Sequence, residues 1–228
     1  MRITYISHSC FTLEYEDVIL LFDYPSDRML EYGAREVVKN KVDKSILYVF
    51  ISHSHGDHYN PKIKKMTDLA KDVEFIVSRD VPLIKARIMD PGDNLELEHL
   101  SVEAFQSNDL GLAFVIKLKD KLIYYGGDLA KWDWDDFDSK TRDHMVQVFH
   151  KMIRHLSDLK VDVAFSNTDQ RLESWAGPLE FLQAVDPEFF VPMHTFGNVE
   201  WIDDLLETTP FPSERIFKYK KPGDHLNI

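Results

Sequence analysis

Residues 51–58 read Ile-Ser-His-Ser-His-Gly-Asp-His, which puts three of the chain's ten histidines and one carboxylate within six positions, directly behind an apolar run. His53 and His55 are two residues apart. In an extended segment such residues point the same way, so both imidazoles can grip one cation. Gly56 lets the backbone turn sharply, aiming Asp57 and His58 elsewhere, toward a second cation. Neutral imidazole with carboxylate suits zinc, manganese or iron. The alternative is a polar loop whose histidines merely cap the following helix; so much imidazole behind a buried strand argues against it. Four residues are too few for two ions. Asp128, in Tyr-Tyr-Gly-Gly-Asp, and His194, in Val-Pro-Met-His, each follow an apolar strand as His53 does. Alone, the first reads as a turn residue and the second as a rim histidine; beside the motif both become candidate ligands.

The elements that must position these groups follow from pattern. Residues 2–7, 10–15 and 18–24 are β-rich and read as strands, and the mixed polar stretch 27–45 as loop with some helix. Residues 45–51 are apolar on both faces, which predicts a buried strand. Asn60 as cap, Pro61 at the first helical position and the face Ile63, Met66, Leu69 and Ala70 predict a helix over 60–72. Strands are predicted at 73–78 and, as a meander, at 100–107, 112–120 and 121–127. The stripe Met145, Phe149, Met152, Leu156 and Leu159 predicts a helix over 141–159. A strand at 161–167, a helix at 177–186, a strand at 188–194 and a short helix at 199–207 complete the chain. No fixed-period repeat and no Gly-, Ser- or Pro-rich linker interrupts it, so one domain over 1–228 is expected, with two sheets and helices outside them.

Composition narrows the function. The 228 residues are 44% hydrophobic with net charge −12, enough for a sizeable core and acidic enough to repel phosphate backbones. Nucleic acid is therefore not an expected partner. Cys10 is the sole cysteine, which excludes an intrachain disulfide and reads first as a small buried hydrophobe. With no apolar leader core and no membrane-length run, no membrane association is expected, and a cytoplasmic location is the default.

His-x-His-x-Asp-His after a strand, a later Gly-Asp and a final Pro-x-His resemble the metallo-β-lactamase superfamily. The opening Ile-Ser-His-Ser-Cys-Phe and the strand ending in Asp23 resemble its branch of ascorbate-6-phosphate lactonase-like hydrolases. The resemblance spans nearly the whole chain. It implies an α/β fold, a four-layered αββα sandwich with metals at the edge between the sheets. It also implies roles: His53 and His55 on a first metal, Asp57, His58 and His194 on a second, and Asp128 bridging. Asp23 would brace the motif loop by hydrogen bonds, with His8 beside it. Di-iron redox members carry glutamate where His55 stands, so a hydrolytic chemistry is implied, with one or two Zn2+ as cofactor and Mn2+ or Fe2+ as alternatives.

The family's further histidine for the first metal, expected before Gly-Asp, is absent; Asn108 and Asp109 are the nearest polar residues, and His99 lies too far upstream. Asp109 is expected to take that place, directly or through a water, with a simple turn cap as the alternative. Trp132 and Trp134, after Asp128, read as walls of a pocket, with core packing as the alternative. Lys131, Asp169 and Arg171 read as substrate-binding rim residues, against a plain surface ion pair or solvated charges. The expected activity is metal-assisted hydrolysis of a small anionic ester, lactone or phosphoester, with Asp57 orienting the attacking water and taking its proton. A metal-binding sensor or catalytically inactive scaffold is the alternative reading.

Overall fold

Val-Ile-Leu-Leu-Phe, Ile-Leu-Tyr-Val-Phe-Ile and Val-Glu-Phe-Ile-Val carry β-branched and aromatic side chains on both faces, the composition of strands covered on both sides. In the computed structural model, which describes residues 1–228 apart from the Met66 side chain, they form the centre of a sheet. The chain folds as two compact units, Met1–Met89 with Tyr219–Ile228, and Asp90–Lys218. Each unit contains one sheet, and the whole has five α-helices among the described residues.

In the first unit, strands β1 (Arg2–Ser7), β2 (Cys10–Tyr15), β3 (Val18–Phe22), β4 (Ile46–Ile51), β5 (Asp72–Ser78) and β6 (Arg87–Met89) lie side by side in chain order. A last strand, β13 (His225–Asn227), pairs antiparallel with β1 and closes the row. The neighbours β3, β4 and β5 run parallel. Helix α1 (Ala34–Val42) joins the first two and α2 (Ile63–Thr67) the next two. Leu21, Val49, Ile51, Phe75 and Val77 pack with Ala34, Val38 and Val42 of α1 and with Ile63 of α2 in one apolar cluster.

Helix α2 is shorter than its sequence predicts. Asn60 and Pro61 do not open it: the helix starts at Ile63 with Lys62 at its N-cap and no side-chain cap bond, and Asn60 Oδ1 instead accepts from the Lys62 amide at 3.0 Å in the turn before it. The Thr67 hydroxyl donates to the Lys64 carbonyl at 3.0 Å, a side-chain bond that competes with the helical ladder, and the helix stops there. Leu69, expected on the apolar face, is exposed, and Met66 lies outside the described side chains.

In the second unit the order is β12-β11-β10-β9-β8-β7. Strands β7 (Asn94–Glu96), β8 (Leu100–Gln106), β9 (Leu112–Leu118) and β10 (Lys121–Tyr125) form an antiparallel meander. Strands β11 (Val163–Asn167) and β12 (Phe189–Met193) then extend it in parallel with β10. Helix α3 (Ser139–Ser157) connects β10 to β11 and α4 (Pro178–Val185) connects β11 to β12; α5 (Glu200–Thr208) follows β12. The α3 stripe buries Phe149, Met152, Ile153 and Leu156. Its first turn is capped by Asp138, which accepts from the Thr141 amide at 3.0 Å and its hydroxyl at 2.8 Å. Gly177 precedes α4 at φ 94°, and a Cβ there would meet Phe149 Cζ at 2.7 Å, so only glycine fits.

The two units repeat one arrangement. Each has a run of adjacent parallel strands, four in the first and three in the second, and ligands of open α/β sheets gather beyond the carboxyl ends of such strands. Asp23, Ser52–His53 and Asp80 follow β3, β4 and β5; Asp128, Asp169 and His194 follow β10, β11 and β12.

Candidate metal-ligand groups

In the first unit the group is built on a buried carboxylate. Asp23 leaves β3 with φ 40° and is wholly buried. Its Oδ1 accepts from the Ser52 amide at 2.7 Å, and its Oδ2 from the Ser52 hydroxyl at 2.6 Å. Its Oδ2 also lies 2.7 Å from His58 Nδ1. A carboxylate against Nδ1 makes that nitrogen the protonated one and leaves Nε2 to act as a ligand. His58 Nε2 lies 3.8 Å from Asp57 Oδ2, and His8 Nε2 lies 3.6 Å from the same oxygen. His8, expected to support the motif from behind, thus joins Asp57 and His58 in one group whose ligand atoms lie within 4.8 Å of one another. It is the first residue of the two-residue turn between β1 and β2, held at φ 52°.

His53 Nε2 and His55 Nδ1 are 3.1 Å apart. Two nitrogens on a tetrahedral ion with bonds of about 2.0–2.1 Å stand about 3.3 Å apart, so this pair fits a shared cation with little movement. Gly56 does not make the turn by glycine-only geometry, because it has no positive φ. The turn is closed instead by the amides of His58 and Tyr59, which donate to the His55 carbonyl at 3.0 and 2.8 Å. A second brace has no counterpart in the sequence reading: Asp80, beyond β5, accepts from the Ser54 amide at 2.7 Å. Burial alone would raise the Asp80 pKa, but hydrogen bonds from Ser78 and Ser54 outweigh it and hold the carboxyl below its usual value.

In the second unit His194 Nε2 lies 3.6 Å from Asp128 Oδ1 and its Nδ1 lies 3.2 Å from Asp169 Oδ2. His194 has φ 61°, a third candidate residue in the left-handed region after His8 and Asp23. Such conformations cost free energy and collect at sites held by their surroundings. Asp169 is fully buried, although the sequence reading offered an exposed pair or a rim residue. Burial would raise its pKa, but the bonds from Arg171 and then His194 bring it down to about 2, so it stays ionised at neutral pH. Arg171 Nε lies 2.8 and 3.1 Å from the two Asp169 oxygens, and Nη2 closes a further contact.

Trp132, read as a pocket wall, is 6% exposed and packs with Ala130, Leu172 and Ala176. Its Nε1 donates to the Asp128 carbonyl at 2.7 Å, and its ring meets His194 edge-on at 5.4 Å. It backs the ligand group rather than presenting a free face. Trp134 stacks on Trp132 at 6.3 Å and flanks, with Arg171, an open cleft of about 480 Å³ rimmed by Asp133, Asp135, Asp136 and Glu173. Lys131 is paired with Glu180, which also meets His150 Nε2 at 2.9 Å. Cys10 is buried in the first unit's apolar cluster, and burial pushes its thiol pKa up.

The β8–β9 turn carries Asn108 and Asp109. Gly111 has φ 72° and its carbonyl accepts from Ser107. Since β8 runs parallel to β10 with β9 between them, the turn lies on the same sheet edge as Asp128. Asn108 is buried and structural: its amide donates to the carbonyls of Ala130 at 2.6 Å and Met145 at 2.7 Å, and accepts from the Ala130 amide. Asp109 is exposed, and a carboxylate oxygen of its own lies within 4.8 Å of one of Asp128.

A family model described as "Beta-lactamase superfamily domain" matches residues 2–194. The chain belongs to the beta-lactamase superfamily. A protein of Salinibacter ruber named "UPF0173 metal-dependent hydrolase" is 24% identical, with 91% of each chain covered. Among solved structures, the metallo-beta-lactamase fold protein YhfI of Bacillus subtilis aligns with TM-score 0.65 at 13% identity, covering 99% of this chain and 98% of that one. Igni18, a metallo hydrolase of Ignicoccus hospitalis, aligns with TM-score 0.63 at 16% identity, covering 99% and 97%. At these identities the likeness shows the fold. No helix among the described residues is long and apolar enough to cross a membrane.

Within this superfamily Asp109 carries a direct test. Asp109→Ala removes about one metal equivalent, measured by elemental analysis after dialysis against zinc or manganese, and Asp109→His raises zinc affinity because imidazole suits zinc better. Unchanged stoichiometry and affinity in both variants would leave Asp109 as a turn residue.

Proposed function

We propose that the chain is a metal-dependent hydrolase, with His53, His55, Asp57, His58, Asp109, Asp128 and His194 as the metal-ligating set and a small ester or lactone as substrate. The observation that carries this reading is the Asp23–His58–Asp57 row. It joins a buried carboxylate on Nδ1 at 2.7 Å to an Nε2 lying 3.8 Å from a second, partly exposed carboxylate. The donor set is imidazole and carboxylate throughout, the chemistry that zinc, manganese and iron share. A bound ion of this kind lowers the pKa of water toward ~7 and polarises an acyl or phosphoryl oxygen. Asp57, one-quarter exposed, orients the attacking water and takes up its proton. The Salinibacter relative's description as a metal-dependent hydrolase supports the same reading.

The surroundings of Lys131 and Arg171 bear on substrate charge. The expectation of an anionic substrate rested on Lys131 and Arg171 as local positive charge. Each faces a carboxylate, Glu180 and Asp169 respectively, and the cleft beside Arg171 is rimmed by four further carboxylates. An uncharged ester or lactone suits these surroundings better than a phosphoester.

Metal removal tests the whole reading. Stripping with a chelator lowers the unfolding temperature, and added zinc, manganese or iron restores it; a ligand at 100 times its Kd stabilises by about 2.7 kcal/mol. Reloaded protein turns over at least one member of a panel of esters, lactones and phosphodiesters, and stripped protein none. A protein that neither binds these ions nor shifts in melting on their addition would end the proposal.

A further inference from the structure

The Asp169–Arg171 pair sits where the sequence suggested substrate recognition, and its geometry argues for another task. Asp169 is completely buried, so its carboxylate cannot meet a substrate from solvent. Both of its oxygens are engaged by Arg171, and Oδ2 also faces His194 Nδ1 at 3.2 Å. The Arg171 amide adds a bond to Oδ1 at 3.1 Å, fixing the carboxylate from its own loop. The guanidinium in turn lies over two rings, with its carbon 5.4 Å from the centre of Trp134 and 4.4 Å from that of Phe196. Phe196 completes the frame by packing edge-on against the His194 ring at 4.7 Å. A planar guanidinium fork on a planar carboxylate favours one orientation of the Asp169 oxygens.

We infer that Asp169, locked by Arg171, is the positioning residue of His194. It fixes the proton on Nδ1, turns Nε2 toward Asp128, and so sets how strongly His194 binds a metal ion. His194 needs such support because its own backbone, at φ 61°, lies in a sparsely populated region. The row Asp169–His194–Asp128 then matches Asp23–His58–Asp57 in the first unit, although the two carboxylates reach their histidines across 25 and 35 residues respectively. The inference rests on the proposed role of His194 as a ligand, and Arg171 acts through Asp169 rather than on substrate.

Two measurements test it, one of which needs no metal. In metal-free protein labelled with 15N-histidine, long-range 1H–15N spectra report which ring nitrogen of His194 carries the proton, with His194→Gln giving the assignment. Wild type shows the Nδ1-H form; Asp169→Ala shifts toward the Nε2-H form, and Asp169→Asn keeps the Nδ1-H form because its carbonyl oxygen still accepts. Equilibrium dialysis with zinc gives about 10–100-fold weaker binding for Asp169→Ala and an intermediate loss for Arg171→Lys, which keeps the charge but not the fork. With zinc saturating, KM for the panel substrate stays within about twofold in Arg171→Lys. An unchanged tautomer in Asp169→Ala overturns the inference, as does unchanged zinc affinity in a wild type that binds zinc. A raised KM with wild-type zinc affinity in Arg171→Lys returns the pair to substrate binding. A tautomer shift in a protein that binds none of zinc, manganese and iron would uphold the positioning and sink the hydrolase reading.

Discussion

Asp57→Asn lowers kcat/KM by about 10²–10⁴-fold, the range that a positioned general acid–base supplies, while the metal-free protein unfolds within about 1 kcal/mol of wild type, as a change at a partly exposed position does. The two halves of this expectation have one origin. Asp57 is 25% exposed and lies on the solvent side of its group, 3.6 Å from His8 Nε2 and 3.8 Å from His58 Nε2. A group so placed can reach a water and contributes little to the core. Asparagine has nearly the same shape but cannot take up a proton and is a poorer ligand. The variant is therefore assayed at metal concentrations that restore full occupancy, checked by elemental analysis. Retention of more than about one-tenth of the activity at full occupancy would remove Asp57 from the proton-transfer step.

The His53–His58 motif was legible because its members share one short stretch after a strand that is apolar on both faces; two-residue periodicity and a strand end are local facts. Asp128 and His194 were legible for the same reason, each following a run of buried residues, whereas Asp23 was marked only by the family resemblance of the opening strands. Their supports were harder to read. Asp80 reaches the Ser54 amide across 26 residues and Asp169 reaches His194 across 25, and no local period marks either pair. Lys131 looked like a free cation because its partner Glu180 lies on α4, far along the chain; the Asp169–Arg171 pair was offered by sequence, but not its burial. The three-residue strands β6, β7 and β13 are too short to display alternation. Trp132 reads from sequence as a pocket wall, because it follows a candidate ligand in a loop, and burial overturns that reading. Pattern finds the residues that end strands, and tertiary pairing decides which of them hold and which are held.

Asp23→Ala destabilises the metal-free protein by about 3–5 kcal/mol, the scale of breaking a buried charged network by removing one partner. At the 2–4 °C per kcal/mol of a chain this size, the unfolding temperature falls by roughly 10 °C. The carboxylate is fully buried and serves the Ser52 amide, the Ser52 hydroxyl and His58 Nδ1 together. Its loss strands a backbone donor and an imidazole at a buried position, and each buried unsatisfied group costs about 1–3 kcal/mol. Backbone strain must be separated from this, since Asp23 sits at φ 40° and alanine tolerates that region poorly. Two companions do so. Asp23→Gly relieves the strain but still lacks the carboxylate, so it remains strongly destabilised. Asp23→Asn accepts the positive φ and keeps one oxygen for the Ser52 amide, so it loses less, yet its amide presents N–H to a ring nitrogen that also donates. Asp80→Ala, which strands the Ser54 amide at a half-buried site, costs only about 1–2 kcal/mol on the same scale. Urea midpoints of the four metal-free variants therefore rank Asp80→Ala above Asp23→Asn, and Asp23→Asn above Asp23→Gly and Asp23→Ala. If Asp23→Gly were as stable as wild type, the strained backbone rather than the carboxylate would be what Asp23 contributes, and the bracing of His58 would have to come from Ser52 alone.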